Sequence, residues 1–356
     1  MASVTFNNQK NLFFRSLKEK VDQYFSSQNM NTSGGRKLFV KGILQLCSAA
    51  ILYTALVFFT LPLAISIVLC CLFGMNLALI GFNIMHEGGH QSFSKHAWIN
   101  KAGIYVLNAM GGNSYYWKIK HNISHHTYTN VEGFDSDINL GFFMRLHKGQ
   151  KHYILHRFQH IYWVVLYGLE YANWVLWDDF MRYFSGNISS THTHQKLSLK
   201  EHLIFWLTKL FYGAIYIMLP ILMVGLLKAL IGFAIVCFVC GMFITVVFQI
   251  AHIVENTQFP AVNESTNKIE EQWAIHQVNT TSNFATGNRF ISWLMGGLNF
   301  QVEHHLFPKI SHIHYPMINR LVKETCLEFN IAYHEYPTMR KAFWSHLMHI
   351  KKMGRK

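Results

Sequence analysis

The chain has 356 residues, of which 51% are hydrophobic and 14% charged, and its formal net charge is +13. Soluble domains carry roughly 25% charged residues, so this composition excludes an ordinary soluble fold and indicates an integral membrane protein. The basic residues lie along segments that flank hydrophobic runs. This placement favours an anionic membrane leaflet or an anionic head group as the partner, and it argues against nucleic acid.

The N-terminal arm, residues 1–42, is polar and mixed in character. It has no compact apolar run behind a basic start, so it is not predicted to be a signal peptide. Apolar residues recur at helical spacing between residues 11 and 25, and this pattern predicts an amphipathic helix.

Two long hydrophobic runs follow. Residues 43–85 carry no charged side chain, and residues 203–252 carry only Lys209 and Lys228. Each run is long enough to cross a ~30 Å hydrocarbon core twice, with turns expected at Pro62 and beside Lys228. The sequence therefore predicts an all-α integral membrane protein with four transmembrane helices in two hairpins. The spans are predicted at about residues 43–62, 64–85, 205–227 and 229–251.

Basic residues mark one side of the membrane. Those that precede the first span include Arg15, Lys18, Lys20, Arg36, Lys37 and Lys41. Basic segments also follow the second and fourth spans, whereas the hairpin tips carry one lysine between them. The positive-inside rule then places both termini in the cytoplasm. The aromatic segment at residues 153–180 suits the headgroup region, although a further span is the alternative for it.

Three histidine clusters lie at the polar edges of these hydrophobic runs. They read HEGGH (His86 and His90), HNISHH (His121, His125 and His126) and QVEHH (Gln301, His304 and His305). A spacing of four places two side chains on one helix face, whereas His126 projects about 100° away from His125. His252 ends the fourth span at the depth where the second span delivers His86. The sequence thus predicts that eight imidazoles converge.

Eight histidines exceed the three protein ligands of a typical catalytic zinc, so the pattern predicts two metal ions at a membrane surface. Imidazole also suits copper, iron and nickel. Four nitrogens per ion would leave open positions on an octahedral metal such as iron, where dioxygen could bind. Zinc has no redox chemistry and is disfavoured.

Other interpretations of the histidines leave more unexplained. HEGGH matches the HExxH signature of zinc proteases with Glu87 as the base, but that interpretation gives the other clusters no role. A metal transporter would need ionisable residues inside its spans. The remaining histidines are not predicted to be ligands. A solvated helix face is expected for His152, His156 and His160, and surface positions for His147, His334, His346 and His349.

The three clusters and their flanks resemble the histidine boxes of the membrane fatty acid desaturases. The similarity runs from about Arg36 to Leu321 and includes KIKHNISHHTYTNVEGFDSDINLG and LNFQVEHHLFPKISHIHYP. A glutamine at the head of the third box, here Gln301, resembles the pattern of the front-end subgroup, which includes delta-6 or linoleoyl-CoA desaturases. Members of that subgroup insert a double bond between an existing one and the carboxyl end.

The resemblance implies an oxidoreductase whose four spans carry a cytosolic helical cap with a di-iron centre. The corresponding desaturase domain is residues 43–325, followed by a cytosolic tail at residues 326–356. The implied iron ligands are His86, His90, His121, His125, His126, His252, His304 and His305. The role of Gln301 is left open between ligating iron, holding a water and shaping the site.

The resemblance also implies partners. The substrate is a fatty acyl chain, carried as acyl-CoA or as a membrane lipid, and the oxidant is dioxygen. Many front-end members carry a fused cytochrome b5 domain with an HPGG motif, which is missing from this sequence. Electrons are therefore expected from a separate ferredoxin or cytochrome b5, as in bacterial members, and the location expected is a bacterial cytoplasmic membrane. Hydroxylation of a fatty acyl or sphingoid chain on the same scaffold is the alternative reaction.

Two further groups of side chains are candidates near the boxes. The acyl chain is expected to run in a narrow apolar tunnel, which Tyr116, Trp117, Trp293 and Phe300 either line or flank as packing residues. Asp135 and Asp137 either orient a ligand histidine or cap a turn.

Overall fold

Helix boundaries fall where glycine, proline and polar residues interrupt the apolar runs. A computed structural model describes residues 4–7, 11–138, 140–194 and 196–355 and is mostly helical. The α-helices are α1 (Leu12–Ser27), α2 (Gly35–Phe58), α3 (Leu63–Ile80), α4 (His86–Gly89), α5 (Ala97–Ala109), α6 (Ser114–Trp117), α7 (Gln159–Asn173), α8 (Asp179–Ser185), α9 (Leu199–Tyr212), α10 (Leu219–Val224), α11 (Leu226–His252), α12 (Trp273–Thr280), α13 (Arg289–Leu294), α14 (Gln301–Leu306), α15 (Tyr315–Glu328) and α16 (Met339–Met353).

Several helices are joined without a break by turns of other geometry. The π-helical turns are Gly81–Met85, Lys118–His125, Trp174–Asp178 and Gly213–Met218, and the 3-10 turns are Ser136–Ile138, Ile154–Phe158 and His312–His314. Strands are short: β1 (Thr5–Phe6) pairs in parallel with β2 (Lys268–Ile269), and β3 (Asn283–Phe284) pairs in parallel with β4 (Glu335–Tyr336).

Four helical segments in the described part of the chain are long and apolar enough to cross a membrane. They are Gly35–Phe58, Leu63–Gly89, Leu199–Val224 and Leu226–His252. The predicted number of spans is thereby confirmed. The segment at residues 153–180 is helical but is not one of the four. The last two spans are separated at Gly225, shortly before Lys228, and its φ of 87° is readily adopted by glycine.

The first of these helices begins at Gly35, earlier than the span predicted from residue 43. Lys41 lies inside the helix and is buried. Its Nζ donates a hydrogen bond to Asn83 Oδ1 at 2.5 Å and another to the Trp293 carbonyl oxygen. Because these two oxygens accept hydrogen bonds from the ammonium group, the lysine is accommodated within the helix. The contact also fixes the beginning of α2 beside the end of the second apolar helix.

Two helices form the centre of the apolar core. α3 packs along both α2 and α11, and α11 packs along α7. At the α7–α11 crossing the backbones approach closely, because a Cβ on Gly241 would lie 2.6 Å from the Gly168 carbonyl oxygen. This packing brings the histidine-bearing ends of Leu63–Gly89 and Leu226–His252 together.

The N-terminal helix packs over the third histidine box. α1 buries Phe13, Leu17, Val21 and Phe25 at intervals of four, which confirms the amphipathic pattern. These side chains join an apolar cluster with residues of α12, α14 and α15. Lys20 Nζ also lies 2.6 Å from Glu328 Oε2 on α15. α14, which carries the third box, is therefore enclosed on several sides.

The C-terminal helix α16 buries histidines that were predicted at the surface. His346 is 0% exposed, His349 is also buried, and so is His147 in the segment before α7. The prediction was therefore wrong for these three, whereas His334 is half-buried. His346 Nδ1 donates to the Ile253 carbonyl oxygen at 2.7 Å, and its Nε2 accepts from the Tyr167 hydroxyl at 2.8 Å. His156, predicted on a solvated face, is buried as well. Such partners lie far away in sequence, so no local pattern indicates them.

Acid should destabilise this C-terminal contact. Burial lowers the pKa of His346 from 6.5 to about 4. Above pH 6.5, His346 is neutral in both the folded and the unfolded chain. Below that pH, His346 of the unfolded chain binds a proton before His346 of the folded chain does. The free energy of unfolding should therefore fall by roughly 3 kcal/mol between pH 6.5 and 4. Thermal denaturation of His346→Gln should show a shallower acid dependence than wild type, and identical dependences would contradict the prediction.

Candidate metal centre

All eight predicted histidines converge in the structure. Their ring nitrogens form three overlapping groups, each with its atoms within 4.8 Å of one another: His86, His90, His121 and His304; His125, His252 and His305; and His126, His304 and His305. The third group shares one histidine with each of the other two, so His126 lies between them. His86 is half-buried and the other seven are buried.

The first two histidine boxes lie at or directly after π-helical turns. The turn at Gly81–Met85 immediately precedes His86, and the turn at Lys118–His125 contains two of the second box's histidines. π turns widen a helix and occur often at functional sites. His125 and His126 point into different groups of histidines, as their adjacent positions predict.

Several of these rings are held by a hydrogen bond from the nitrogen that faces away from the group. His125 Nδ1 donates to Asp135 Oδ2 at 3.0 Å, His305 Nδ1 donates to Gln277 Oε1 at 2.8 Å, and the Tyr315 hydroxyl lies 3.2 Å from His304 Nδ1. Such partners fix the tautomer and leave Nε2 available to a metal.

Asp135 thus makes the contact expected of a residue that orients a histidine, and it also accepts the Asn130 backbone N–H at 3.0 Å, as a turn cap would. The side chain of Asp137 lies outside the part of the chain that the structure describes. Gln277 and Tyr315 were missed by sequence reasoning, because glutamine and tyrosine carry no spacing pattern that relates them to a histidine on another helix.

Burial keeps the imidazoles neutral. Desolvation, followed by repulsion between neighbouring histidines, holds the pKa of His121, His126, His304 and His305 well below 6.5. Neutral imidazole is the form that binds metal. At neutral pH these side chains are therefore ready to act as ligands without first losing a proton.

The arrangement fits a cationic metal. His86 Nε2 lies 3.1 Å from His121 Nε2, which in turn lies 3.3 Å from His126 Nε2. His90 Nε2 and His304 Nε2 are buried and have no hydrogen-bond partner among the described residues. Buried nitrogens that face one another without protons or partners are costly unless they share a positive charge. The donor set suits iron, zinc or copper.

Gln301 lies at the second group of histidines. Its side-chain amide nitrogen is 2.9 Å from His252 Nε2 and 3.3 Å from His305 Nε2. The amide is buried and within reach of the same space as the imidazoles. The position is compatible with each of the roles left open by the sequence.

Glu87 of HEGGH does not face the histidine groups. Its Oε1 accepts from the backbone N–H of His312 at 2.9 Å and from His312 Nδ1 at 2.8 Å, while Oε2 accepts from the Ser92 hydroxyl at 3.0 Å. The carboxylate therefore connects the first box to the segment after the third box. A general base of the zinc-protease type would need to face the metal, so this arrangement disfavours that interpretation.

The glycines of HEGGH permit close packing. A Cβ on Gly88 would lie 2.8 Å from the Asn100 carbonyl oxygen and 2.8 Å from the Ile104 backbone nitrogen, both on α5. A Cβ on Gly89 would lie 2.3 Å from the Trp117 ring. Another backbone therefore approaches closely at Gly88, and α5 supports the helix that carries His86 and His90.

Gly88→Ala should destabilise the protein and lower its metal content. The added methyl meets backbone atoms that cannot move aside, so a loss of about 1–3 kcal/mol is expected. The measurement is the thermal unfolding temperature in detergent together with bound metal per chain. Gly213→Ala is the matched control, because nothing lies within 4 Å of its Cβ. Equal unfolding temperatures for the two variants would contradict the argument.

Aromatic rings flank the histidines on two sides. Trp117 stacks on His121 with ring centroids 4.5 Å apart, and Phe248 of α11 lies 4.8 Å from His252 and 5.1 Å from His125. Trp117 was among the predicted lining candidates, whereas Phe248 was missed within its uniformly apolar helix.

The other three lining candidates lie elsewhere. Tyr116 packs on Phe205, Phe300 belongs to the apolar cluster beneath α1, and Trp293 is 54% exposed above Lys41. None of these contacts places the side chain against the histidine groups.

Comparison with known proteins shows which family this chain resembles. The family model for fatty acid desaturases matches residues 60–337. An sn-1 linoleoyl-lipid 6-desaturase of Synechocystis sp. is 31% identical over 98% of this chain and 97% of the relative. A protein of the same name from Arthrospira platensis is 34% identical over 99% of this chain and 95% of the relative. An acyl-lipid (8-3)-desaturase of Physcomitrium patens is 32% identical over 96% and 72%, respectively.

Proposed function

This chain belongs to the fatty acid desaturase family and is a multi-pass membrane oxidoreductase, and on that premise we propose that it is a front-end desaturase of linoleoyl-type chains. The observation that carries the proposal is the convergence of eight buried or half-buried histidines at the ends of apolar helices. Gln301 at the head of the third box and the names of the two cyanobacterial relatives support the front-end position.

Family membership implies iron, and we propose two ions. The first would be held by His86, His90, His121 and His304, and the second by His125, His252 and His305, with His126 between them. Bound iron supplies the activation of dioxygen that removal of unactivated C–H hydrogens requires. The reaction converts –CH2–CH2–, O2, two electrons and two protons into –CH=CH– and two waters.

The protein's own residues supply position and exclusion of water. Asp135, Gln277 and Tyr315 hold three imidazoles in fixed orientations, so little reorganisation is needed during turnover. Trp117 and Phe248 offer apolar surface beside the two histidine groups, where methylenes of an acyl chain could be held. Gln301 shapes or completes the second group.

The proposed topology follows from the same contacts. The bond between Lys41 and Asn83 joins the start of α2 to the end of the following span, as an antiparallel hairpin requires. Residues 1–42 and 326–356 are proposed as cytosolic arm and tail around a desaturase domain at residues 43–325. Its helical cap and both termini then lie in the cytoplasm. The cyanobacterial relatives favour a bacterial cytoplasmic membrane.

The acyl carrier and the electron donor are further parts of the proposal. The relatives are named for lipid-linked substrates, which favours a membrane lipid over acyl-CoA. Each double bond consumes two electrons, which we assign to a separate ferredoxin or cytochrome b5. Assays of the purified enzyme with linoleoyl-lipid and with linoleoyl-CoA would distinguish the carriers.

Expression in a host fed linoleate tests the reaction. The expected product has two hydrogens fewer than linoleate and a new double bond between the existing bonds and the carboxyl end. A product carrying an added oxygen would establish the hydroxylase alternative, which the desaturase names of the relatives disfavour. A new bond on the methyl side would exclude the front-end assignment. A host expressing the His305→Ala variant is the negative control, because it shows which fatty acids the host itself makes from linoleate.

A further inference from the structure

Six basic side chains gather where the C-terminal helix meets the loop before α7. This C-terminal basic surface consists of Lys148, Lys151, Arg157, Lys351, Lys352 and Arg355. Five are exposed and Lys351 is half-buried. None of the six forms an ion pair with an acidic side chain in the described ranges. The neighbouring acid, Glu132, lies 3.8 Å from His147 instead.

Three hydrogen bonds, two of them buried, hold the two halves of this surface together. Arg145 Nη1 donates to the Met353 carbonyl oxygen at 2.9 Å, and His152 Nε2 donates to the Gly354 carbonyl oxygen at 2.9 Å. Gln159 Nε2 donates to the Ile350 carbonyl oxygen at 2.6 Å. The final turn of α16 is thereby fixed against residues 145–159. Repulsion among the cations therefore does not separate them, and the concentrated charge is a built feature of the fold.

An apolar stripe continues from the basic surface along α7. It consists of five exposed side chains: Ile154, Phe158, Ile161, Val165 and Leu169. The first two lie in the 3-10 turn Ile154–Phe158 that leads into α7, and the last three recur at intervals of four on one face of α7. Their exposed fractions range from 51% for Leu169 to 77% for Ile154. An apolar stripe of this kind in contact with water would be unfavourable.

The opposite face of α7 shows what covers the stripe. Tyr167, Gly168 and Tyr171 are buried on that face, and α7 packs along the membrane-spanning α11. A helix that lies against a membrane span turns its outer face toward lipid. In the proposed topology the stripe would face acyl chains, and the cations at its N-terminal end would face the headgroups of the same leaflet.

We propose that the C-terminal basic surface and the apolar stripe together bind anionic phospholipid. Phosphate oxygens would contact the lysine and arginine side chains, and the acyl chains would contact the stripe. An acidic electron-donor protein is the competing partner, but it would leave the apolar stripe unexplained. This proposal depends on the membrane location of the chain and not on the reaction that it catalyses.

Native mass spectrometry of the iron-loaded, full-length protein tests the proposal, with phosphatidylglycerol and phosphatidylcholine as probes. Wild type should retain phosphatidylglycerol with a preference of about tenfold or more. The variant K151Q/R157Q/K351Q/R355Q should lose that preference. The control K95Q/K196Q/K268Q/K309Q removes the same charge from exposed lysines elsewhere and should keep it. A fourth variant, K151R/R157K/K351R/R355K, keeps the charge and should also keep the preference.

Three results would overturn the proposal. Wild type could bind both lipids equally, or the two glutamine variants could lose the preference to the same extent. The third is that K151Q/R157Q/K351Q/R355Q keeps its preference for phosphatidylglycerol but shows a raised KM for a reduced ferredoxin, which would assign the surface to the electron donor. Thermal unfolding of each variant establishes that it is folded.

Discussion

His125→Ala and His305→Ala should each abolish detectable desaturation and lower bound iron from about two ions per chain. Both imidazoles belong to the second histidine group, and each turns one nitrogen toward it. Loss of a residue that merely orients a ligand costs about 10–100-fold in metal affinity or activity, so loss of a ligand should cost more than about 100-fold. The measurements are product formation from linoleate and elemental analysis of purified protein.

His96→Ala is the matched control for these variants. His96 is exposed and belongs to none of the three histidine groups, so iron content and product formation should stay at wild-type levels. Two outcomes would contradict the assignment of these histidines as iron ligands. One is full activity in the double variant lacking His125 and His305, and the other is active wild-type protein that contains zinc in place of iron.

Asp135→Asn should reduce iron affinity and activity by about 10–100-fold without unfolding the protein. The carboxylate accepts hydrogen bonds from His125 Nδ1 and from the Asn130 backbone, both at 3.0 Å, and it is 2% exposed. Asparagine keeps the shape but removes the charge that fixes the His125 tautomer and strengthens its donation to the metal.

The missing charge of Asp135→Asn, and not a change in packing, should account for its loss of iron affinity and activity. Asp135→Glu restores the carboxylate and should recover part of the iron affinity, a rescue that a purely structural role would not give. Asp22→Asn, which breaks an exposed pair with Lys18, should leave iron content unchanged. If Asp135→Asn bound iron as tightly as wild type, the proposed role of its charge would be wrong.

The spans and the histidine boxes were predictable because both depend on local spacing. An uncharged run such as residues 43–85 reveals its length directly, and histidines at intervals of four reveal a shared helix face. The convergence of three distant boxes followed from their common position at the ends of apolar runs. These are the features that solvent and helix geometry impose on a sequence.

Other features depended on partners remote in sequence. Lys41 was expected to precede the first span, yet it lies inside α2, where Asn83 and a carbonyl oxygen on another segment accept its hydrogen bonds. Gln277 and Tyr315 orient histidines across helix boundaries, and His346 is satisfied by Tyr167 and Ile253. Only the folded chain brings these groups together, so no single stretch of sequence contains the information.

The π-helical turns beside the first two boxes set the rotational phase of the histidines that follow them. A π turn takes about one residue more than an α-helical turn. If Gly81–Met85 adopted ordinary α geometry with all its residues retained, every later position in that helix would rotate by roughly 100° about the axis. His86 and His90 would then point away from the other histidines although no ligand had been altered. The backbone geometry of these two short segments is thus under as much constraint as the identity of the histidines themselves.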